Sequence, residues 1–523
     1  MENKELKRLP VGIQTYETIV EENCLYIDKT AYIYKMLQIS KYIFLSRPRR
    51  FGKSLLVSTL QAYFEGKKEL FKGCYIDSVE KEWISYPVLK FSMASANHQG
   101  TAQLQRFLSS RLSWEEEKWG ITTPKQDPND RLTDLILAAY KQTGRKVVVL
   151  IDEYDAPLLD VSHKPEVLSE MRQIMRNFYS PLKDADPYLK FVFITGITKF
   201  SQLSIFSELN NLKNISMNPQ FAALCGISKE ELLAQMSDYL DDFAEVANVS
   251  REETIAKLKR QYDGYHFTWP SPDIFNPFSL FNALQDYQVN NYWFATGTPT
   301  FIIEKMKEFH VVPSMLAPTR VMAADFDAPT ENMTSIIPLL YQSGYFTIKD
   351  YNGAGNLYLL DLPNKEIRIG LLQSLLPNYV QNYTQQGNST IGMMNIALQQ
   401  DDLDGMLALL QTYLLSVPQC DNTQYEGHYQ QLLYVIFSLM GQFVDVEVRT
   451  SNGRVDMVMN SGKAIYLFEL KLNKSAEAAM KQINLKDYPA RFALSGLPVI
   501  KVGINFDMER HTLANWKIES NEA

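Results

Sequence analysis

Tyr42-Ile43-Phe44-Leu45-Ser46-Arg47-Pro48-Arg49-Arg50-Phe51-Gly52-Lys53-Ser54 reads as an apolar strand, a basic loop and the start of a helix. That order suits a polyphosphate, because exposed N–H groups at a helix N-terminus and a nearby lysine together neutralise its charge. Gly52 lets the backbone approach the phosphates, Lys53 reaches the β- and γ-phosphates, and Ser54 offers a hydroxyl to Mg²⁺. The strict GxxxxGK[ST] pattern places its first glycine at position 47, where this chain has Arg47. Taken alone, the stretch is equally well read as a basic exposed turn.

The next apolar strand downstream shifts that balance. Val147-Val148-Val149-Leu150-Ile151 ends in Asp152-Glu153, and buried parallel strands deliver functional residues at their carboxyl ends. An aspartate there can hold Mg²⁺, and the adjacent glutamate can orient and deprotonate an attacking water. A charged strand end facing solvent is the plainer alternative. A further strand over 191–195 ends in Thr195-Gly196, where Thr195 offers a polar sensor beside the γ-phosphate. Strands at 42–46, 88–92, 147–151 and 191–195 alternate with helical stretches such as 55–64 and 171–179. The alternation predicts an α/β fold around a parallel sheet covered on both faces.

Length and composition bound the rest. At roughly 100–200 residues per domain, 523 residues predict about three or four units. Hydrophobic residues at 46% exclude a disordered chain. No apolar run is long enough to span a membrane, and the start MENKELKRLP lacks a signal-peptide core. Cys24, Cys74, Cys225 and Cys420 are scattered without a CxxC pair, so neither a disulfide framework nor a zinc ribbon is expected and a cytoplasmic location fits. The six histidines show no HxH or HExxH spacing, which argues against zinc catalysis. A net charge of −8 excludes a uniformly basic nucleic-acid coat.

Four stretches together resemble the bacterial AAA-ATPase-like family: Arg-Pro-Arg-Arg-Phe-Gly-Lys-Ser (47–54), Leu-Ile-Asp-Glu-Tyr-Asp (150–155), Ile-Thr-Gly-Ile-Thr-Lys-Phe (194–200) and Tyr-Asp-Gly-Tyr-His-Phe (262–267). Asn-Pro-Phe-Ser (276–279) and Tyr-Trp-Phe-Ala-Thr-Gly (292–297) are similar to its helical region. The resemblance implies a P-loop NTPase core joined to a C-terminal PD-(D/E)XK nuclease-like domain, and the family carries arginine where the strict pattern has its first glycine. It further implies that Leu25-Tyr26-Ile27-Asp28-Lys29-Thr30 packs near the nucleotide. Arg47, Arg50, Gly52, Lys53, Ser54, Asp152 and Thr195 form the expected binding set for ATP with Mg²⁺, and Glu153 the expected base.

The C-terminal segment carries a second constellation. Arg454-Val455-Asp456-Met457-Val458-Met459 and Tyr466-Leu467-Phe468-Glu469-Leu470-Lys471 read as a hairpin, and residues two apart on a strand share a face. Asp456 and Glu469, with the Leu470 carbonyl, would make an oxygen-rich Mg²⁺ site beside Lys471. Most Asp…Glu-x-Lys patterns are ordinary amphipathic hairpins, but here each acid interrupts an apolar strand, where an unpartnered carboxylate is costly. The order Glu426, Asp456, Glu469-x-Lys471, Gln482, Tyr488 resembles the nuclease half of the same family. It implies catalytic roles for Glu426, Asp456, Glu469, Lys471 and Gln482. Residues 426–523 hold 11 basic and 11 acidic side chains, a weak charge for grasping nucleic acid.

The expected division is an ATPase core at 1–227, a helical lid at 228–330, a winged-helix-like and helical linker region at 331–416, and a restriction-endonuclease-like α/β domain at 417–523. In the middle region a helix at 335–341 and strands at 345–349, 356–362 and 366–369 suit a small winged helix; an irregular α+β linker is the other reading. The expected activity is ATP hydrolysis coupled to a Mg²⁺-dependent nuclease acting on nucleic acid, DNA being the favoured substrate, with no membrane partner and room for a homo-oligomer. The alternative is a nucleotide-controlled signalling or scaffold protein whose C-terminal domain binds nucleic acid or protein without cutting.

Overall fold

The computed structural model describes the chain apart from residues 1–5, 95–98, 200–210, 296–299, 331–332, 379–384, 417–425, 441–442, 451–452, 487, 511 and 522–523. The boundary expected at 417–425 lies outside the described residues, and so do Cys420, Phe200 and Thr296-Gly297 of the quoted stretches. Two compact units emerge: Met1–Trp293 with Pro318–Asn364, and Phe294–Ala317 with Lys365–Ala523. Segments 228–293 and 318–364 therefore belong with the first sheet. The finer division expected from the sequence remains a proposal; its 228–330 and 331–416 segments each contribute residues to both units.

The first unit is built on strands β1 (Tyr42–Ser46), β2 (Val88–Ser92), β3 (Val147–Asp152), β4 (Leu189–Gly196) and β5 (Lys213–Asn214), in the order β2-β3-β4-β1-β5. All neighbours run parallel. Every residue of β3 is buried, as its run of branched side chains demands of a strand covered on both faces. Val147, Val149 and Ile151 share a core with Leu104, Leu108 and Leu112 of the helix Thr101–Lys118 and with Met171 and Met175 of Pro165–Tyr179. The helix Lys53–Phe64 packs on β3 as well. Because the sheet is parallel, the carboxyl ends of β1, β3 and β4 emerge side by side.

Beyond the sheet, β6 (Ile227–Ser228) pairs antiparallel with β7 (Ile274–Phe275). Ser228 caps the next helix in a reciprocal box with Glu231, an arrangement worth about 1 kcal/mol. Residues 229–246 form two helices, Lys229–Gln235 and Ser237–Val246. The chain breaks at Met236, which leaves helical geometry at φ −125°, and the break lets Leu232, Leu240 and Phe243 reach one core. Next, β8 (Thr319–Val321), β9 (Thr347–Asn352) and β10 (Leu357–Asp361) form an antiparallel sheet in the order β8-β10-β9, with the helix Ile337–Gln342 ahead of the hairpin. This is the helix-then-hairpin order of the winged-helix-like reading, with a third strand added.

One expectation is corrected here: 366–369 is not a strand but part of the helix Lys365–Leu375. Ile367, Leu371, Leu372 and Leu375 are all buried, and this three-to-four spacing outweighs the local Ile-Arg-Ile preference for strand.

In the second unit, helices Gln385–Gln399, Leu403–Ser416 and Glu426–Leu439 precede a five-stranded sheet. Its strands β11 (Phe443–Thr450), β12 (Gly453–Asn460), β13 (Ile465–Leu472), β14 (Val499–Asp507) and β15 (Thr512–Asn521) lie in sequence order. Only β13 and β14 pair in parallel, joined across the helix Ala476–Leu485. That helix crosses so closely over Gly503 that a Cβ there would sit 2.6 Å from the Ala476 carbonyl. Among the described residues, no helix is long and apolar enough to cross a membrane.

Candidate active sites

The loop between β1 and the helix Lys53–Phe64 needs two residues in left-handed backbone, Arg50 at φ +67° and Gly52 at φ +88°. No atom would crowd a Cβ at Gly52, so glycine serves there through its conformation rather than its size. Lys53, the first helical residue, is buried, and its ammonium donates to the Pro48 carbonyl at 2.9 Å. Burial pulls its pKa down, while the charges of Asp152, Glu153 and Asp155 pull it back up.

A cavity of about 540 Å³ opens over this loop, within the size range of small-molecule sites. Arg49, Arg50, Gly52, Lys53 and Ser54 line it together with Glu153 and Asp155 from the end of β3. Residues 10–14 and the apolar side chains of Pro277, Phe278 and Phe281 close it. A smaller recess shares Gly52, Leu55 and Phe281 with this cavity and adds Lys29, so the 25–30 stretch does pack beside the phosphate loop. Lys29 itself is tied up in a buried ion pair with Glu231.

At the end of β3, Asp152 is buried, and its Oδ1 has no hydrogen-bond partner among the described residues. A bare buried carboxylate oxygen costs a few kcal/mol, and a hard cation would relieve that cost. Glu153 sits at φ +52°, a backbone conformation costly for a residue other than glycine and concentrated at functional sites. Its pKa is raised, first by burial and then by Asp152, with Lys53 and Arg49 acting in the opposite sense.

The strain at Glu153 is held by its successors. Tyr154 donates its backbone N–H to the Thr195 carbonyl at 3.1 Å and its hydroxyl to the Thr198 carbonyl at 2.9 Å. Asp155, fully buried, accepts from the backbone of Ile197 at 3.0 Å, and from the backbone and hydroxyl of Thr198 at 2.6 and 2.7 Å. At Gly196 a Cβ would lie 2.4 Å from the Asp155 carboxylate, so only glycine lets the two strand ends close. Asp155→Ala should therefore destabilise the fold by on the order of 3 kcal/mol, read as a lower urea midpoint; an unchanged midpoint would dismiss the clamp.

Two expected nucleotide-site residues are placed elsewhere. Arg47 is buried away from the cavity, donating to the carbonyls of Ser46, Ser216 and Phe221 at 2.9, 2.8 and 3.0 Å and lying 4.3 Å above the Phe267 ring. It fixes the loop rather than facing a ligand, because desolvating a guanidinium is tolerable only with such a shell of acceptors. Thr195 is also fully buried and gives its hydroxyl to the Leu45 carbonyl at 2.7 Å, stitching β4 to β1. Arg50 lines the cavity but is anchored, to the Tyr292 carbonyl at 3.1 Å and over Phe278 at 4.1 Å.

In the second unit, Met457 pairs with Phe468, which sets Asp456 beside Glu469 on one face of neighbouring strands. Asp456 Oδ2 accepts the Leu470 N–H at 2.8 Å. Glu469 is wholly buried; its Oε1 takes the Lys471 ammonium at 2.9 Å, and its Oε2 has no partner among the described residues. Gln430 donates to the Asp456 carbonyl at 3.0 Å, fastening the helix Glu426–Leu439 to this strand. Glu426 lies one helical turn earlier, and its side chain falls outside the described residues. Gln482 is half-buried on the helix Ala476–Leu485 and makes no side-chain hydrogen bond to the two acids. Tyr488 is buried in a core with Ile465 and Leu467, which share with Glu469 one face of β13. Among the described residues, no three of His, Cys, Asp and Glu group as a ready metal cage, so Asp456 and Glu469 would share a hard cation with water or substrate oxygens.

Burial first, and Asp456 second, push the Glu469 carboxyl up to about 7, against the pull of Lys471. A raised folded-state pKa favours folding below the ordinary glutamate range, and that advantage is lost as pH rises through about 7. Mg²⁺ pairs with the ionised form, so its stabilisation of this unit should be larger near about pH 8 than near about pH 5.5. Thermal melts with Mg²⁺ and with chelator at both pH values check this. An equal gain at both would remove Glu469 from the metal site.

Asp155 closes the 150–155 stretch, but its role as a clamp is visible only in its tertiary partners Ile197 and Thr198. The N-terminal residues 10–14 gave no motif at all; only their packing against the loop reveals them. Comparison with known proteins agrees with this two-site architecture. Residues 10–206 match a family model described as "AAA-ATPase_like: Predicted AAA-ATPase", and residues 424–516 match one for the PD-(D/E)XK nuclease superfamily. A protein of Azotobacter chroococcum, named "Uncharacterized protein in vnfD 5'region", is 33% identical over 527 residues, covering 98% of this chain and 99% of its own length. With the phosphate loop and the paired carboxylates each lying inside its matched segment, the chain belongs to the AAA-ATPase-like family and carries a C-terminal PD-(D/E)XK nuclease superfamily domain.

Proposed function

We propose that the first unit binds and hydrolyses ATP with Mg²⁺, and that the second is a Mg²⁺-dependent phosphodiesterase acting on nucleic acid, DNA foremost. The observation that carries this reading is shared by both sites. Each has a buried carboxylate oxygen without a partner among the described residues, Asp152 Oδ1 in one and Glu469 Oε2 in the other. Nearby stands a lysine, Lys53 or Lys471, whose charge acts on the acids of its site.

In the nucleotide site, Gly52 N–H and Lys53 would take the phosphates, Ser54 and Asp152 would hold the metal, and Glu153 would draw the proton from the attacking water. Phe278 and Phe281, which close the cavity, supply apolar surface for a base. In the second site, Asp456, Glu469 and the Leu470 carbonyl would hold the metal, which when bound neutralises the scissile phosphate and acidifies a water. Lys471 would stabilise the charge that develops on the phosphate oxygens.

The zero net charge of residues 426–523 favours the second reading, a nucleotide-controlled scaffold that binds without cutting. Purified protein incubated with supercoiled plasmid and single-stranded RNA, with Mg²⁺ and with or without ATP, separates the two. Cleavage that chelator abolishes is expected. Intact substrate under every nucleotide condition would favour the scaffold.

A further inference from the structure

We infer that Arg49 is a catalytic residue, a cation that the phosphate loop supplies from within the same chain to the γ-phosphoryl group as it is hydrolysed. The inference rests on the ATP-hydrolysis reading above and deepens it. In phosphoryl transfer, negative charge spreads over the γ-oxygens, and an arginine held against them accelerates the reaction strongly, whether it comes from the same chain or from a partner. The loop Arg47-Pro48-Arg49-Arg50 holds three arginines, and their surroundings differ sharply.

Arg47 is buried under three carbonyls. Arg50 is anchored to the Tyr292 carbonyl and the Phe278 ring. Arg49 is exposed, lines the cavity with Lys53, Ser54 and Glu153, and has no hydrogen-bond or ion-pair partner among the described residues. Its charge nonetheless reaches Glu153, whose pKa it pulls down.

The backbone on either side is fixed. Pro48 packs so tightly against Gly344 that a Cβ there would lie 2.7 Å from the proline ring, and Arg50 is locked at φ +67°. An exposed guanidinium on a fixed stretch of backbone, lining the same cavity as Glu153, is placed to reach a γ-phosphate. Its planar fork suits phosphate oxygens. A second copy of the chain would then not be needed to complete the site.

The test compares binding of ADP and of ADP–aluminium fluoride, a mimic of the transferring phosphoryl group, by wild type and Arg49→Ala in the full chain with Mg²⁺. Steady-state ATP turnover is followed across protein concentration. Arg49→Ala should bind ADP within about 2-fold of wild type, lose about 10²-fold or more in affinity for the fluoride complex, and turn over on the order of 10³-fold more slowly. Wild-type turnover per chain should not vary with protein concentration. Equal binding of the fluoride complex by both proteins overturns the inference. Parallel loss of both ligands overturns it too, since Arg49 would then serve ground-state binding alone. A per-chain rate that climbs with concentration points to a cation from a second copy and likewise overturns it. If wild type binds neither ligand, the nucleotide reading itself fails and takes the inference with it; binding without a role for Arg49 leaves that reading intact.

Discussion

Glu153→Gln protein should bind ATP within a few-fold of wild type and hydrolyse it ~10²-fold or more slowly. Glutamine keeps the shape and burial of the side chain but cannot take a proton. The backbone at φ +52° is set by neighbours the substitution leaves alone, Tyr154 bonded to Thr195 and Asp155 to Thr198. Lys53→Ala should do the reverse and remove most of the affinity, because Lys53 is the buried cation of the loop that lines the cavity. The pH profile adds a second check. Burial and Asp152 raise the Glu153 pKa, so wild-type turnover should fall on acidification at a higher pH than an ordinary carboxylate would give. Normal hydrolysis by Glu153→Gln would place the base elsewhere.

A larger loss is expected in the second unit. Asp456→Ala and Lys471→Ala should each abolish detectable cleavage while ATP hydrolysis persists, because the phosphate-loop site is built from other residues. Asp456 does two things at once: it accepts the Leu470 N–H at 2.8 Å, and it presents its charge beside the buried Glu469. Removing it leaves one carboxylate where a hard cation needs several oxygen ligands. It also lowers the Glu469 pKa, since Asp456 is the second cause of that shift; Asp456→Ala should therefore abolish cleavage without a large loss of fold stability. Lys471→Ala strips Glu469 of its 2.9 Å ion pair, which makes Lys471→Met a useful companion that keeps most of the packing. Cleavage by Asp456→Ala at the wild-type rate would move the catalytic metal away from this hairpin.

How much of this was legible in the sequence depends on whether the signal was local. The strands β1 to β4 and the hairpin β12–β13 were readable because branched residues run together and turns bracket them. Asp152, Glu153, Asp456 and Glu469 were readable because each acid ends or interrupts an apolar strand. Arg47 and Thr195 were misplaced because their type suits a ligand, and only tertiary contacts show that their polar atoms are consumed by backbone carbonyls. Asp155 was passed over for the same reason, since its partners at 197 and 198 lie more than forty residues away. The strand β15 carries charged and amide residues among its apolar ones and pairs along β14 over its length. Its place on that neighbour, rather than its own pattern, makes it a strand.

The central claim is that each unit holds a divalent cation at a buried carboxylate oxygen that otherwise lacks a partner. Anomalous diffraction from crystals grown with Mn²⁺ and ADP tests it most directly. The account predicts one peak at Asp152 and Ser54 and another between Asp456 and Glu469, at the roughly 2.0–2.6 Å typical of hard cations and oxygen. Well-ordered Asp456 and Glu469 carboxylates with no peak between them at saturating Mn²⁺ would contradict it.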